Sequence, residues 1–504
     1  MRLSHRRPLA AATALVAAGS LLVLGTSATA APASSSTGSS RYLVALEGTQ
    51  TGDGFTAAGT AASVHALLAS AGATVETDLT RQIGVLVVSA PDSSVVGTLA
   101  RSNLVDEVGA EWRWRGLPDA TAVTPVAARP GKGDAPEQTA DPLEPLQWDM
   151  AQIHAPQAHD RQAGRRSVAV GILDSGIDGR HPDFVVDGGG TNVDCARGHN
   201  SVGFLPSGPG VGNPDPCTDN QFHGTHVAGT VAAQANGVGM VGVAPNVSLV
   251  PVKVCDASGF CYASAVVDGI TYSGDQQLDV INMSFFVDDN EFQESTEFKC
   301  TSDPTQRSFK EAVQRALTYA RGQGVTPVAA LGNSDQDLAN PKDDAGNPID
   351  NECEVVPAES VGVIGTASLG AKSEKARHSN YGYGPTDVTA PGGNGSTGDC
   401  RTTILSTLPG GAYGCIQGTS MASPHAAGVA ALIVSQFGKV RADGDMRMSP
   451  DAVQSIVQGT VVDIGLRGYD ECFGNGRIDA ARAVAKDTSS AYDATAPFCP
   501  ECAE

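Results

Sequence analysis

Three side chains of this 504-residue chain stand at places suited to chemistry: Asp174, His223 and Ser420. Asp174 closes the apolar run SVAVGILD (167–174), His223 opens the glycine- and alanine-rich stretch HGTHVAGTVAAQANG, and Ser420 lies in QGTSMASPHAAG (417–428). A serine hydroxyl is a weak nucleophile at neutral pH. It becomes reactive when a neutral imidazole about 2.6–3.2 Å away takes its proton and an acid holds the far side of that ring. Taken singly, Asp174 reads as a capping acid and Ser420 as a helix cap. Taken together, an acid, a base and a nucleophile suit acyl transfer. That reaction also needs an uncharged donor for the tetrahedral oxyanion. Asn333, in AALGN, offers an amide where a turn asparagine is the plainer explanation. Backbone N–H groups at the start of the Ser420 helix point the same way, and Pro424 is expected in the first turn, where its missing N–H costs little. His223 and His226 stand three apart, but without HExxH or further ligands a catalytic metal is disfavoured, and His226 reads as a packing or hydrogen-bonding residue.

These residues need a scaffold. SVAVGILD, VSLVPVKV, DVINMSF and VGVIGTA lack polar alternation and are separated by helical stretches; residues 306–320 place Phe309, Val313, Leu317 and Ala320 near one face. That pattern predicts an α/β fold with a mostly parallel central sheet covered by helices, its working residues beyond the carboxyl ends of the strands. TPVAALGN (326–333) reads as another strand, although Pro327 removes a ladder donor. Upstream, RYLVALE (41–47), AASVHALLASAG (61–72), ATVETDL, IGVLVVSA, SSVVGTLARS and a final strand toward GAEWRWRG give the order strand-helix-strand-strand-helix-strand. This is a small α/β unit of ferredoxin-like order. Residues 118–145, rich in alanine, proline, glycine and acid, read as an exposed linker, and 485–504 as a tail without a clear further domain.

The formal charge of -22 argues against nucleic acid and anionic lipid as partners. Arg2, His5, Arg6 and Arg7 precede an apolar run to Gly25, and Ala28-Thr29-Ala30 supplies a small-x-small site, so residues 1–30 read as a signal peptide for export by a general or twin-arginine route. All 11 cysteines lie at or beyond Cys195, without repeated CxxC pairs. An exported chain would pair them as disulfides, with Cys195–Cys217, Cys255–Cys261 and Cys400–Cys415 as short-range candidates and five bridges plus one thiol as the simplest count.

The segments DSGIDGRHPDF, HGTHVAGT, VINMS, AALGN and GTSMASPHAAGVAAL, with the late GNGRIDAARAV, together resemble the signatures of the subtilisin-like serine protease family. The resemblance covers about residues 146–482 and implies a protease domain over 146–484. It makes Asp174 the triad acid, His223 the base, Ser420 the nucleophile and Asn333 the oxyanion donor. It further implies a secreted, monomeric serine endopeptidase acting on proteins or peptides, without stable membrane association. Residues 41–117 would be an inhibitory prodomain, a transient inhibitor removed by a cut within 118–145. A structural calcium ion would be held by Asp183, Asn236 and Gln147, with no cofactor needed for the chemical step. Phe285-Phe286 and Leu331 depart from the small residues common at these positions and point to altered specificity. Two other classes remain at this stage. An esterase would announce G-x-S-x-G with the serine first in chain order, and a catalytically weak or inactive scaffold could serve as a secreted binding protein.

Overall fold

The structure, a computed structural model, describes residues 40–126, 141–205, 212–287, 303–342, 347–348, 354–396, 399–441 and 444–499. The expected signal (1–30), linker residues 127–140, and Cys300, Cys353 and Cys502 lie outside them.

The first unit contains β1 (Ser40–Leu46), α1 (Ala61–Ser70), β2 (Thr74–Leu79), β3 (Val85–Ala90), α2 (Ser94–Leu99) and β4 (Val105–Ala110). Its strands pair antiparallel in the order β2-β3-β1-β4. Side chains alternate across a strand. Tyr42, Val44 and Leu46 therefore pack with Leu68 and Leu99, while Leu43 and Ala45 join the core of the larger unit. Burial on both faces explains why RYLVALE carries no polar alternation. The expected final strand divides in two. The Glu111 N–H still reaches Arg41 O, but the chain then leaves as β5 (Arg113–Arg115), because Trp114 turns into an apolar pocket beside Phe285 and Phe309.

The expected exposed linker is also corrected over its described start. It makes a short turn at Ala120–Ala122 and then a strand, β6 (Thr124–Val126), whose N–H and C=O groups find a partner edge instead of water. The larger unit follows: α3 (Trp148–Gln152), β7 (Ala169–Asp174), β8 (His199–Asn200), α4 (His223–Ala232), β9 (Ser248–Lys253), β10 (Phe260–Tyr262), α5 (Ala263–Asp275) and β11 (Val280–Met283). Beyond these lie α6 (Pro304–Gly322), β12 (Thr326–Ala330), β13 (Ile364–Leu369), β14 (Val388–Pro391), β15 (Ile404–Leu408), β16 (Ala412–Ile416) and α7 (Thr419–Phe437). Seven strands form one parallel sheet in the order β8-β9-β7-β11-β12-β13-β14. Pro327 is tolerated inside it because β12 begins to pair with β13 only at Val328.

Helix α7 is apolar nearly all round and buried from Thr419 to Ser435, as a helix enclosed on every side must be. Pro424 is its sixth residue, in the second turn and not the first. Its absent N–H frees the Ser420 carbonyl, which accepts instead from the Ser284 hydroxyl at 2.8 Å. The three expected disulfides form, and Cys472–Cys499 ties part of the tail to the larger unit.

Candidate active site

Asp174 is the last residue of β7 and is fully buried. Its carboxylate accepts the Ser175 N–H at 2.8 Å and faces His223 Nδ1, with Oδ2 at 2.9 Å and Oδ1 at 3.1 Å. Gly224 permits this approach: a Cβ there would lie 2.1 Å from Gly176 O and 3.1 Å from Asp174 Cβ. Phe222, before the helix, has φ 105°, a conformation strained for a bulky residue.

Asp219 holds that strained turn. Its Oδ1 accepts from Ser175 Oγ and from the N–H groups of Gln221 and Phe222, each at 2.9 Å. Its Oδ2 accepts from Thr225 N at 2.9 Å and Thr225 Oγ1 at 2.7 Å. Five donors on one carboxylate thus tie the turn after the strand acid to the turn before the histidine. An acid four residues before His223, in DNQFH, was the available signal, and it was missed.

Ser420 is the second residue of α7. Its Oγ donates to Ser284 O at 2.9 Å, while Asn282 Nδ2 donates to Ser284 Oγ at 2.8 Å and Ser423 Oγ donates to Asn282 Oδ1. His223 Nε2 is buried without a hydrogen-bond partner. The acid–imidazole contact is therefore formed in this state, and the serine–imidazole contact is not. Asn333 is exposed, and its orientation is set by Thr419, whose N–H and Oγ1–H both donate to Asn333 Oδ1, at 2.9 and 3.0 Å. Two donors on the oxygen leave the NH2 group as the outward-facing end. His226 sits within the fold, its Nε2 3.2 Å from Gly414 O, and burial pushes its pKa down to about 3.

The two phenylalanines take different directions. Phe285 is fully buried against Trp114, whereas Phe286 is half-buried and lies beside Gly332. Leu331 is buried.

The three expected calcium residues surround one loop, but their oxygens are partly used. Gln147 Oε1 accepts from Val241 N and Asn236 Oδ1 from Val238 N, each at 3.0 Å. Asp183 Oδ2 accepts from Met240 N at 3.1 Å, while its Oδ1 is buried without a partner. Asp141, which the sequence did not suggest, bonds the Gly237 N–H and leaves its own Oδ2 orphaned. Burial pushes the Asp183 carboxyl up to about 8 and that of Asp141 to about 6. Among the described residues no three acid, histidine or cysteine side chains converge as a metal cluster. Two hard, unpartnered carboxylate oxygens, with amide oxygens that keep a second lone pair, nevertheless have the donor chemistry of a calcium site.

The first unit continues into this region. β5 pairs antiparallel with β10, and Leu117 N–H donates to Gly259 O at 3.1 Å. Gln221 then bridges the incoming chain and the histidine: its Nε2 donates to Pro118 O at 2.6 Å and its Oε1 accepts from His223 N at 2.9 Å. On the far side, β6 pairs with β16, four residues before Ser420.

The model of the subtilase family matches residues 165–476. The chain belongs to the subtilase family. Among curated relatives of this subtilase, subtilisin NAT of Bacillus subtilis subsp. natto is 34% identical over 290 residues, covering 57% of this chain and 61% of that one. An alkaline protease of Alkalihalobacillus alcalophilus is 32% identical over 286 residues, 57% of this chain and 59% of its own. The match thus spans about six-tenths of these relatives. In fold, the subtilase resembles the epidermin leader peptide processing serine protease of Staphylococcus aureus, with TM-score 0.63 and 21% identity over 88% of this chain and 98% of that one. A lanthipeptide protease gives TM-score 0.52 and 23% identity over 67% of this chain and 93% of its own.

Proposed function

We propose that this subtilase is a secreted serine endopeptidase, made as a zymogen, that hydrolyses peptide bonds through an acyl-enzyme. The observation that carries the reading is the fully buried Asp174–His223 pair, 2.9 Å apart, whose other ring nitrogen has no partner. Such a pair fixes the tautomer in which Nδ1 carries the proton and Nε2 is free to act as a base. For turnover, the Ser420 hydroxyl leaves Ser284 O and donates to His223 Nε2. As Oγ attacks the substrate carbonyl, His223 takes the proton and Asp174 stabilises the imidazolium. The Asn333 NH2 and the Ser420 N–H take the oxyanion, and the imidazolium protonates the departing amine. Water repeats the sequence on the ester.

Residues 41–117 act as prodomain and transient inhibitor. This is supported by Glu111, whose Oε1 accepts the Ser264 N–H near the start of α5 at 3.0 Å, and by Arg315 of α6, which binds Leu46 O and Asp106. The chain pairs with β10 through β5 and with β16 through β6, so 118–123, between the two, would be the stretch for the first cut. Asp183 and Asp141, with Gln147 and Asn236, would hold a structural calcium ion that neutralises their mutual repulsion.

Mass-spectrometric mapping of the N-terminus, wild type beside Ser420→Ala, tests the proposal together with fluorophosphonate labelling. The wild type should start within 118–146 and take one label, and the variant should retain residue 41 onward and take none. Identical starts together with no labelling would refute a Ser420-dependent protease and favour the binding-protein reading.

A further inference from the structure

The edge of β10, which pairs with β5, carries chemistry that the catalytic reading does not use. Strand β10 ends a loop closed by Cys255–Cys261 and shaped by Asp256, whose Oδ1 accepts from Ser258 N and Phe260 N at 2.8 and 3.1 Å. Phe260 projects from this loop between two guanidinium groups, Arg113 at 4.7 Å and Arg115 at 5.2 Å from its ring centroid. Both distances lie within the range of cation–π attraction. Tyr262, whose hydroxyl donates to the buried Asp256 Oδ2 at 2.8 Å, also interacts with Arg113. A buried carboxylate thus backs one arginine through a phenol. Between the arginines, Trp114 points the opposite way and is 1% exposed, with Phe309 at 5.4 Å and Phe285 at 6.4 Å between ring centroids. Leu117, three residues on, is also buried. The spacing follows from strand alternation: one face of the bound segment is basic and the other aromatic.

We infer that this edge is a recognition site for cationic peptides, selecting basic residues on either side of a buried aromatic upstream of the cut. The inference rests on the protease reading above and names the substrate class of the same site. Phe260 reads both charges, and the Tyr262–Asp256 pair backs Arg113 alone. Arg115 is also ion-paired with Asp119 of the same segment, and the pocket beside Phe285 and Phe309 reads the ring. A chain of net charge -22 also draws cationic peptides toward it.

The test uses internally quenched peptides covering residues 111–124, hydrolysed by wild-type protein whose active sites have been titrated with a fluorophosphonate. The double replacement Arg113→Gln/Arg115→Gln in the peptide should lower kcat/KM about 4- to 25-fold, at about 2- to 5-fold for each cation–π contact. Trp114→Ala in the peptide should lower it about 10- to 100-fold. In the enzyme, Phe260→Ala should shrink the arginine-to-glutamine ratio toward 1. Cleavage of all peptides within twofold of one another would overturn the inference and leave the protease reading standing. No cleavage and no labelling would remove both.

Discussion

Replacing Ser284 by alanine tests how the helix that carries Ser420 is anchored. The Ser284 hydroxyl donates to Ser420 O and accepts from Asn282 Nδ2. Its removal leaves a buried carbonyl and a buried amide each one partner short, and each such loss costs about 1–3 kcal/mol, so Ser284→Ala should destabilise by about 2–6 kcal/mol. The carbonyl needs that hydroxyl only because residue 424 is proline. Pro424→Ala restores an N–H four residues after Ser420, positioned to close an ordinary helical bond. Ser284→Ala should therefore cost about 1–2 kcal/mol less in the Pro424→Ala background. Guanidinium unfolding of the four proteins, all carrying Ser420→Ala to stop self-digestion, measures the coupling. General effects of losing the proline ring cancel in the cycle. Additivity within about 0.5 kcal/mol would refute the claim that the hydroxyl stands in for the missing N–H.

Asn333→Ala should lower kcat about 100- to 1,000-fold with little change in KM, measured on a peptide the wild type cleaves, because the amide matters most when charge develops. His226 should make the fold acid-sensitive. Its folded pKa, about 3, lies below the unfolded value, so the unfolded chain takes up the proton first and stability falls as pH drops from about 6.5 toward 3. Urea midpoints of the Ser420→Ala protein at pH 7 and 4.5 measure that slope, which His226→Gln should flatten. EDTA should lower the melting temperature of the same protein and calcium restore it, while Asp183→Asn should abolish the response; melting indifferent to both reagents would count against the ion.

The parallel sheet was legible because its strands are buried on both faces and so lose polar alternation. Asp174, His223 and Ser420 stood out as candidates because Asp174 ends a strand of that sheet and the other two stand at the starts of helices. What escaped were the partners one step behind them. Asp219, Ser284 and Thr419 act through main-chain groups, and no spacing rule links an acid in one loop to an N–H in another. Asp141 was missed because its neighbour across space, Asp183, is 42 residues away in sequence. The linker misled because its alanines, prolines and acids describe a chain in water, whereas part of it borrows the unpaired edge of β16. Pro424 was placed one turn early for a related reason: the Ser284 hydroxyl, just past the end of β11, removed the penalty that composition would assign.

The stretch between Arg113 and Val126 is strapped down at both ends, by β10 on one side and β16 on the other. A single break within 118–123 would leave each new end paired to its own edge, so that the two ends remain close at high effective concentration. Hydrolysis under those conditions is easily reversed, because resealing needs no search for a partner. Commitment to the active form would then rest with whichever strand first peels away, and the lifetime of the cut but still closed molecule would be set by an off-rate, not by the chemistry of the cut.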